Sequence, residues 1–290
     1  MAHSNSLPAR TASLSGRSLV LLLIVLASLW ILQGQPGSFS VSRGGLSVAV
    51  AFLVRAVSPA LTYETEVPAG TAPLVWKALA AAESTVMFAA AALSLALVGG
   101  CGLGFLASSA WWEGDPMRPS SLRHWRVRLA PVVYGTTRVV IGVLRSVHEL
   151  LWAVLLLAAF GLGNLTAVMA IAIPYAGILA KVFSEMLDEV PRDAAMAMRE
   201  AGASPLQTLM FGLLPRALPD MTAYAFYRFE CAIRSSAVLG FFGFPTLGYY
   251  IAASFENLLY GEVWTYLYVL FGLIAFMDWW SGAMRRRFVA

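Results

Sequence analysis

Residues 196–215 read MAMREAGASPLQTLMFGLLP, and the local chemistry of this stretch decides the architecture. Gly202 can take the left-handed backbone that ends a helix. Ser204, Pro205 and Gln207 then supply an N-cap, an N1 proline and a capping-box glutamine for the next helix. Just upstream, Pro191 fits the first position of a helix whose opening turn carries Asp193. The spacing predicts two helices meeting at a sharp bend near residues 188–207, in a segment polar enough to lie in water. Arg192 and Arg199 place that segment on the cytoplasmic side if its flanks cross a membrane.

The flanks are apolar. The 290-residue chain is 59% hydrophobic and 12% charged, whereas a soluble domain carries about a quarter charged residues. With a mean hydropathy of +0.72, it reads as a multi-pass membrane protein. The net charge of +4 matters less than where the arginines fall. A first apolar run, residues 18–32, follows Arg10 and Arg17 and predicts a membrane anchor, since no Ala-x-Ala cleavage pattern comes after it. Residues 43–59 mix Arg43 and Arg55 with apolar side chains, as a helix lying on a membrane surface does. Residues 1–70 are therefore expected to form an N-terminal anchor and interfacial segment, and residues 71–290 the transmembrane domain.

Within that domain, spans are expected over residues 72–109, loosening at GGCGLG (99–104), and over 149–163, preceded by a semi-apolar stretch from Pro131. Further spans are expected over 165–183, 219–240 and 263–284. Residues 161–164 make a tight turn. A polar loop at 111–128 carries Arg118, Arg123, Arg126 and Arg128, and the chain closes on Arg285, Arg286 and Arg287. Six transmembrane helices in an all-α protein, with both termini cytoplasmic, put every basic cluster on one side.

Few other functions survive. The two lysines, Lys77 and Lys181, follow no glycine-rich loop, so the chain has no nucleotide-cradling P-loop. His3, His124 and His148 make no pair at metal-ligand spacing, and no catalytic base stands beside a nucleophile. Cys101 and Cys231 lie far apart in apolar surroundings, which argues against a disulfide framework. A basic loop next to a span orients the chain and meets lipid rather than nucleic acid. Transport remains.

The charges inside the spans are its candidate machinery. In YRFECAIRSSAVLG, residues 227–240, Arg228 and Arg234 lie roughly 13 and 22 Å along a helix that starts near Pro219. A charge at such depth must face protein or a water-filled path. Glu230 and Arg234 are four apart and can pair on one face with Tyr227. Arg228 points toward Tyr224 and Ser235 and has no local partner. If the third helix is continuous, Arg138, Arg145, Glu149 and Trp152 share a stripe. These charges either form an internal ion-pair lattice or line a path; two arginines against one glutamate leave a surplus positive charge that favours anions.

Residues 196–215 also resemble the coupling loop of ATP-binding-cassette importer permeases, in which a glycine precedes the proline of a Leu-Pro pair by thirteen positions, as Gly202 precedes Pro215. The acidic residue that opens this loop in the family falls on Met196, leaving Asp193 or Glu200 to stand in for it, and the apolar position before Leu-Pro falls on Gly212. Beyond the loop, the chain resembles phosphonate-type importer permeases from about residue 71 onward. Arg145, Ser146, Glu149, Leu150 and Trp152 match a family pattern similar to Arg-Ser-Ile-Pro-Glu-Leu-x-Trp. Tyr227, Arg228, Glu230 and Arg234 match Tyr-Arg-x-Glu-x-x-x-Arg. His148 replaces the proline of the first pattern, which predicts a straighter third helix.

This resemblance implies a permease subunit of a type I importer in the bacterial inner membrane, carrying phosphonate, phosphite or hypophosphite. Its partners would be a second permease, an extracytoplasmic solute-binding protein and an ATPase dimer holding ATP and magnesium; this chain would hold no cofactor. Asp193, Arg199, Glu200, Ala201, Gly202, Ala203 and Ser204 would meet the ATPase. Tyr227, Arg228, Glu230, Arg234, Ser235, Arg145 and Glu149 would line the path, with Phe244 from the glycine-broken GFFGFPTLG, residues 240–248. Where the family has small residues, Phe242, Phe244, Pro245 and Thr246 add bulk, favouring a small oxyanion. A methionine-type or other small-solute permease shares the coupling loop, and a secondary transporter or channel relaying ions through Glu83, Glu149, Glu230 and Asp278 is a further class. The two halves show no repeat to support it.

Overall fold

The computed structural model describes residues 16–33, 43–112 and 120–289, in two compact units, residues 1–53 and 54–290. Every regular element among the described residues is a helix. In the first unit α1 (Gly16–Gln33) is continuous, and its side chains from Leu19 to Ile31 are exposed all round. At 18 residues, α1 lies at the short end of the range of about 17–25 residues that can cross a membrane. The helix α2 (Arg43–Val57) leads into the second unit. Arg10 and Arg118, which entered the topology argument, lie outside the described residues.

The second unit is built on α3 (Leu74–Ala107), whose buried face repeats small residues at Ala89, Ala92, Ala96, Gly100 and Gly104. This corrects one expectation: the glycine cluster does not loosen the helix. Within an apolar bundle the backbone keeps its hydrogen bonds, and the missing side chains admit another helix. A Cβ on Gly100 would lie 2.7 Å from Leu179 Cβ, and one on Gly104 3.1 Å from the Ala180 carbonyl oxygen. After the short α4 (Ser109–Trp112), the expected polar loop is also helical where described, because α5 (Ser120–Ser146) begins inside it.

The third span is not straight; α5 and α6 (Glu149–Phe160) meet at 90°. His148 sits at the break with φ −65° and ψ 146°, and its Nδ1 accepts a hydrogen bond from Leu150 N at 3.3 Å. The histidine caps the new helix and so makes the bend that a proline would make. The stripe expected from a continuous helix is broken between Arg145 and Glu149.

Gly161, with φ +76°, turns the chain into α7 (Asn164–Glu189), which packs along α3. Then come α8 (Asp193–Glu200) and α9 (Pro205–Gln207), a π-helical turn at Thr208–Leu213, and α10 (Leu214–Leu239). Pro191 lies ahead of α8 rather than at its first position; Arg192 occupies the N-cap. Ser204 caps α9 in a complete capping box with Gln207, as the sequence predicts. A helix the sequence did not reveal, α11 (Leu247–Glu256), starts after the break at residues 240–246 at a bend of 42°, and α12 (Tyr260–Val289) follows it. Gly240 and Gly248 touch backbone to backbone there, while Leu247 N is satisfied by Thr85 Oγ1 at 3.1 Å.

Among the described residues three helices are long and apolar enough to cross a membrane alone, and two bent pairs, α5–α6 and the helical path of residues 205–242 with α11, bring the number to five. At the end of the bundle remote from α8, the buried Glu262 accepts hydrogen bonds from Glu64 N at 3.0 Å and Ser254 Oγ at 3.2 Å, pinning the segment before α3 onto α11 and α12. Burial there pushes the Tyr63 phenol above its ordinary pKa, with the Glu262 carboxylate and Tyr250 adding to the shift.

Candidate functional site

Three elements bring a polar chain together inside the bundle. Glu149 opens α6 at the 90° break, Tyr175 lies near the middle of α7, and Arg228 and Ser235 stand about two turns apart on α10. Ser235 Oγ donates to Glu149 Oε1 at 2.9 Å. A hydroxyl carries one hydrogen, so the 3.1 Å bond between Tyr175 Oη and Ser235 Oγ is donated by the tyrosine. The chain therefore runs from Tyr175 through Ser235 to the carboxylate, which also has His148 Nε2 3.5 Å away.

Arg228 lies over this chain, its guanidinium carbon 4.3 Å from the centre of the Tyr175 ring. The contact holds the cation in place without using its N–H groups. Arg228 Nε is buried with no hydrogen-bond partner among the described residues, and so is Trp152 Nε1. Leaving such donors unsatisfied costs about 1–3 kcal/mol each. A cation with an open donor next to an ordered hydroxyl chain can hold an oxyanion.

The other charges are arranged differently from the single-helix expectation. Glu230 pairs not with Arg234 but with Arg285 of α12, at 3.4 Å. Packing of α12 on α10 supplies a cation that a view along one helix cannot contain. Among the described residues Arg234 reaches Cys231 Sγ alone, at 3.8 Å, and is exposed on the same side of α10 as Tyr227. Phe244 is 1% exposed and stacks edge-on against Phe88 inside the core, so it faces no open space. Of the four residues expected to add bulk to the path, Phe244 is thus taken up by the core. Arg145 is exposed on α5, and Glu149 pairs with Ser235 instead.

At the opposite end, α8 and the turn after it present Asp193, Met196, Ala197, Glu200, Ala201 and Gly202 to the exterior. Leu206 and Phe211, the latter 73% exposed, continue that surface. Gly202, at φ +86°, ends α8, and Ala203 N closes the turn onto Met198 O at 2.9 Å. Arg199 turns inward and donates to Ala110 O at 3.3 Å. Asp188 was not singled out from the sequence, yet it accepts from Ser108 Oγ, Ser109 N and Ala110 N at 2.7, 3.2 and 3.3 Å. Its role is legible only once α3 and α7 lie side by side. Tyr175 was missed for the same reason: one tyrosine in an apolar run carries no spacing signal.

A sequence profile of the family described as "Binding-protein-dependent transport system inner membrane component" matches residues 126–289. Among curated relatives, the phosphite transport system permease protein PtxC of Stutzerimonas stutzeri is 35% identical over 158 residues, 54% of this chain and 58% of that protein. The phosphate-import permease protein PhnE of Mycolicibacterium smegmatis is 31% identical over 159 residues, 55% of this chain and 30% of that protein. The chain thus spans little more than half of the first and less than a third of the second. A chain of the MetNI methionine ABC transporter in an inward-facing conformation superposes with a TM-score of 0.59 at 20% identity, covering 73% of this chain and 96% of that one. At that identity the likeness is one of fold.

Proposed function

Because the chain belongs to the family of binding-protein-dependent transport system inner membrane components, we propose that it is the permease subunit of an ATP-driven importer for phosphorus oxyanions: phosphonate, phosphite or hypophosphite. The observation that carries this reading is Arg228, a cation inside the span with an unsatisfied Nε beside the Tyr175–Ser235–Glu149 chain. The likeness to permeases named for phosphite and phosphate supports the same substrate class.

The partners follow from the surfaces left open. An exposed guanidinium at Arg234, inside the span that α10 contributes to, is not tolerated against lipid. A second permease subunit covers it, and the path runs between the two. The outward face of α8 with Leu206 and Phe211 takes the ATPase dimer, and a solute-binding protein delivers the anion at the opposite end. In this reading α1 is the sixth span and both termini are cytoplasmic. The test is reconstitution of the permease with its ATPase and binding protein in proteoliposomes, with phosphite, hypophosphite, an alkylphosphonate and methionine compared. Stimulation of ATP hydrolysis by at least one phosphorus oxyanion is expected; stimulation by methionine alone would overturn the proposal.

A further inference from the structure

We infer that the cleft between α5 and α7 is a second oxyanion site, distinct from the chain at Tyr175, that holds one phosphate-class group: an anionic lipid headgroup or a free phosphorus oxyanion. The cleft has a volume of about 250 Å3 and is lined by Arg138, Ile141, Gly142, Arg145, Lys181 and Ser184. Lys181 follows Tyr175 by six residues on α7, so it lies roughly 9 Å nearer the α8 end of the bundle.

The backbone brings the cations together. The two helices cross at Gly177, where a Cβ would lie 2.7 Å from Leu144 Cβ and 3.1 Å from Arg145 N. Arg145 therefore rests against α7 one turn before Lys181. Arg138 and Arg145 are seven residues apart and share a face of α5. Between them Gly142 leaves the floor open, with nothing within 4 Å of where its side chain would start.

The charge balance leaves a cation over. Lys181 is paired with Glu185, and Arg138 lies 3.9 Å from Asp188, so three cations face two carboxylates. Arg145 has no hydrogen bond or ion pair among the described residues. A surplus guanidinium in a membrane domain calls for an anion, and its planar fork fits a phosphate-type group through two parallel hydrogen bonds. Pockets for drug-sized ligands measure about 300–1,000 Å3; this one suits a single tetrahedral group. The argument is independent of the cargo, since a lipid headgroup would bind here whatever the importer carries.

The test uses the complex assembled with its ATPase, as wild type and as the Arg145→Gln, Arg145→Lys and Lys181→Gln variants. Native mass spectrometry counts anionic phospholipids retained after a detergent wash. In parallel, inorganic phosphate and phosphite are titrated against thermal unfolding in detergent free of anionic lipid. If the occupant is lipid, wild type retains one more phosphatidylglycerol than Arg145→Gln, and Arg145→Lys recovers part of the difference. If it is a free oxyanion, the apparent affinity falls at least tenfold in Arg145→Gln. Equal lipid retention and equal anion response in wild type, Arg145→Gln and Lys181→Gln would overturn the inference. Equal lipid retention combined with an anion response that survives Arg145→Gln and vanishes in Arg228→Ala would do so as well, because it would leave Tyr175 as the only anion site.

Discussion

Arg228 and Glu230 stand two residues apart on α10, yet their surroundings assign them different work. Arg228 is seated on the Tyr175 ring, and its Nε has nothing to donate to, so removing it leaves no partner stranded. We expect Arg228→Ala to keep the subunit in the membrane while weakening oxyanion uptake about tenfold to a hundredfold, the worth of one charge-assisted hydrogen bond of about 1.5–3 kcal/mol. Uptake measured against the amount of folded complex checks this, and equal loss of both would assign Arg228 to the scaffold. Glu230 is 9% exposed and holds Arg285. Its removal leaves a cation unpaired, so Glu230→Ala should lower stability by roughly 2 kcal/mol. That is less than a fully buried pair would lose, because Arg285 is 38% exposed. Thermal unfolding of Glu230→Gln/Arg285→Gln should recover most of that loss; no recovery would mean that the pair does not hold α10 to α12. The charges themselves were legible in the sequence. Their partners were not, because in each case the partner stands on another helix.

At the scale of elements, the turn at Gly202 and the cap at Ser204 are legible in local chemistry, whereas the bend before α6 is not. Gly202 and the Ser204–Gln207 capping box depend on a few neighbouring residues, and both take the geometry their side chains dictate. A side chain on Gly202 would meet open space but not a tolerable backbone angle; at φ +86° it costs about 1–2 kcal/mol and re-aims α8. Gly202→Leu should therefore assemble yet lose substrate-stimulated ATP hydrolysis, and normal stimulation in an assembled complex would show that α8 does not carry the coupling. The break before α6 shows the opposite case. Hydropathy summed along a chain is blind to direction, so two helices at 90° look like one span with a polar residue inside it. His148 already has φ −65°, the value a proline ring imposes. Replacing it forfeits a cap worth about 1 kcal/mol and gains about 0.4–1 kcal/mol from a stiffer unfolded chain. His148→Pro should thus move the unfolding midpoint little; a large loss would mean that the imidazole itself, 3.5 Å from Glu149 Oε2, supports the site.

For the molecule as a whole, apolar composition and arginine placement were enough to read an all-helical membrane protein, and the motifs around Arg145 and Tyr227 pointed to its family. The internal arrangement was hidden because it rests on small residues, whose contribution is the absence of side chains. Ala96, Gly100 and Gly104 look merely hydrophobic in a row of letters but set how closely α3 approaches α7. The same holds where α10 meets α11. A Cβ on Gly240 would strike Tyr249 N, and one on Gly248 would strike the Ala237 carbonyl oxygen; neither obstacle is a flexible side chain that could swing aside. Phe241, next in the chain, is 62% exposed. In a population of randomised codons selected only for assembled protein, positions 240 and 248 should therefore return glycine alone, while position 241 drifts freely. Two adjacent letters of the same loop would evolve at opposite extremes of rate, with no ligand or partner needed to explain the contrast.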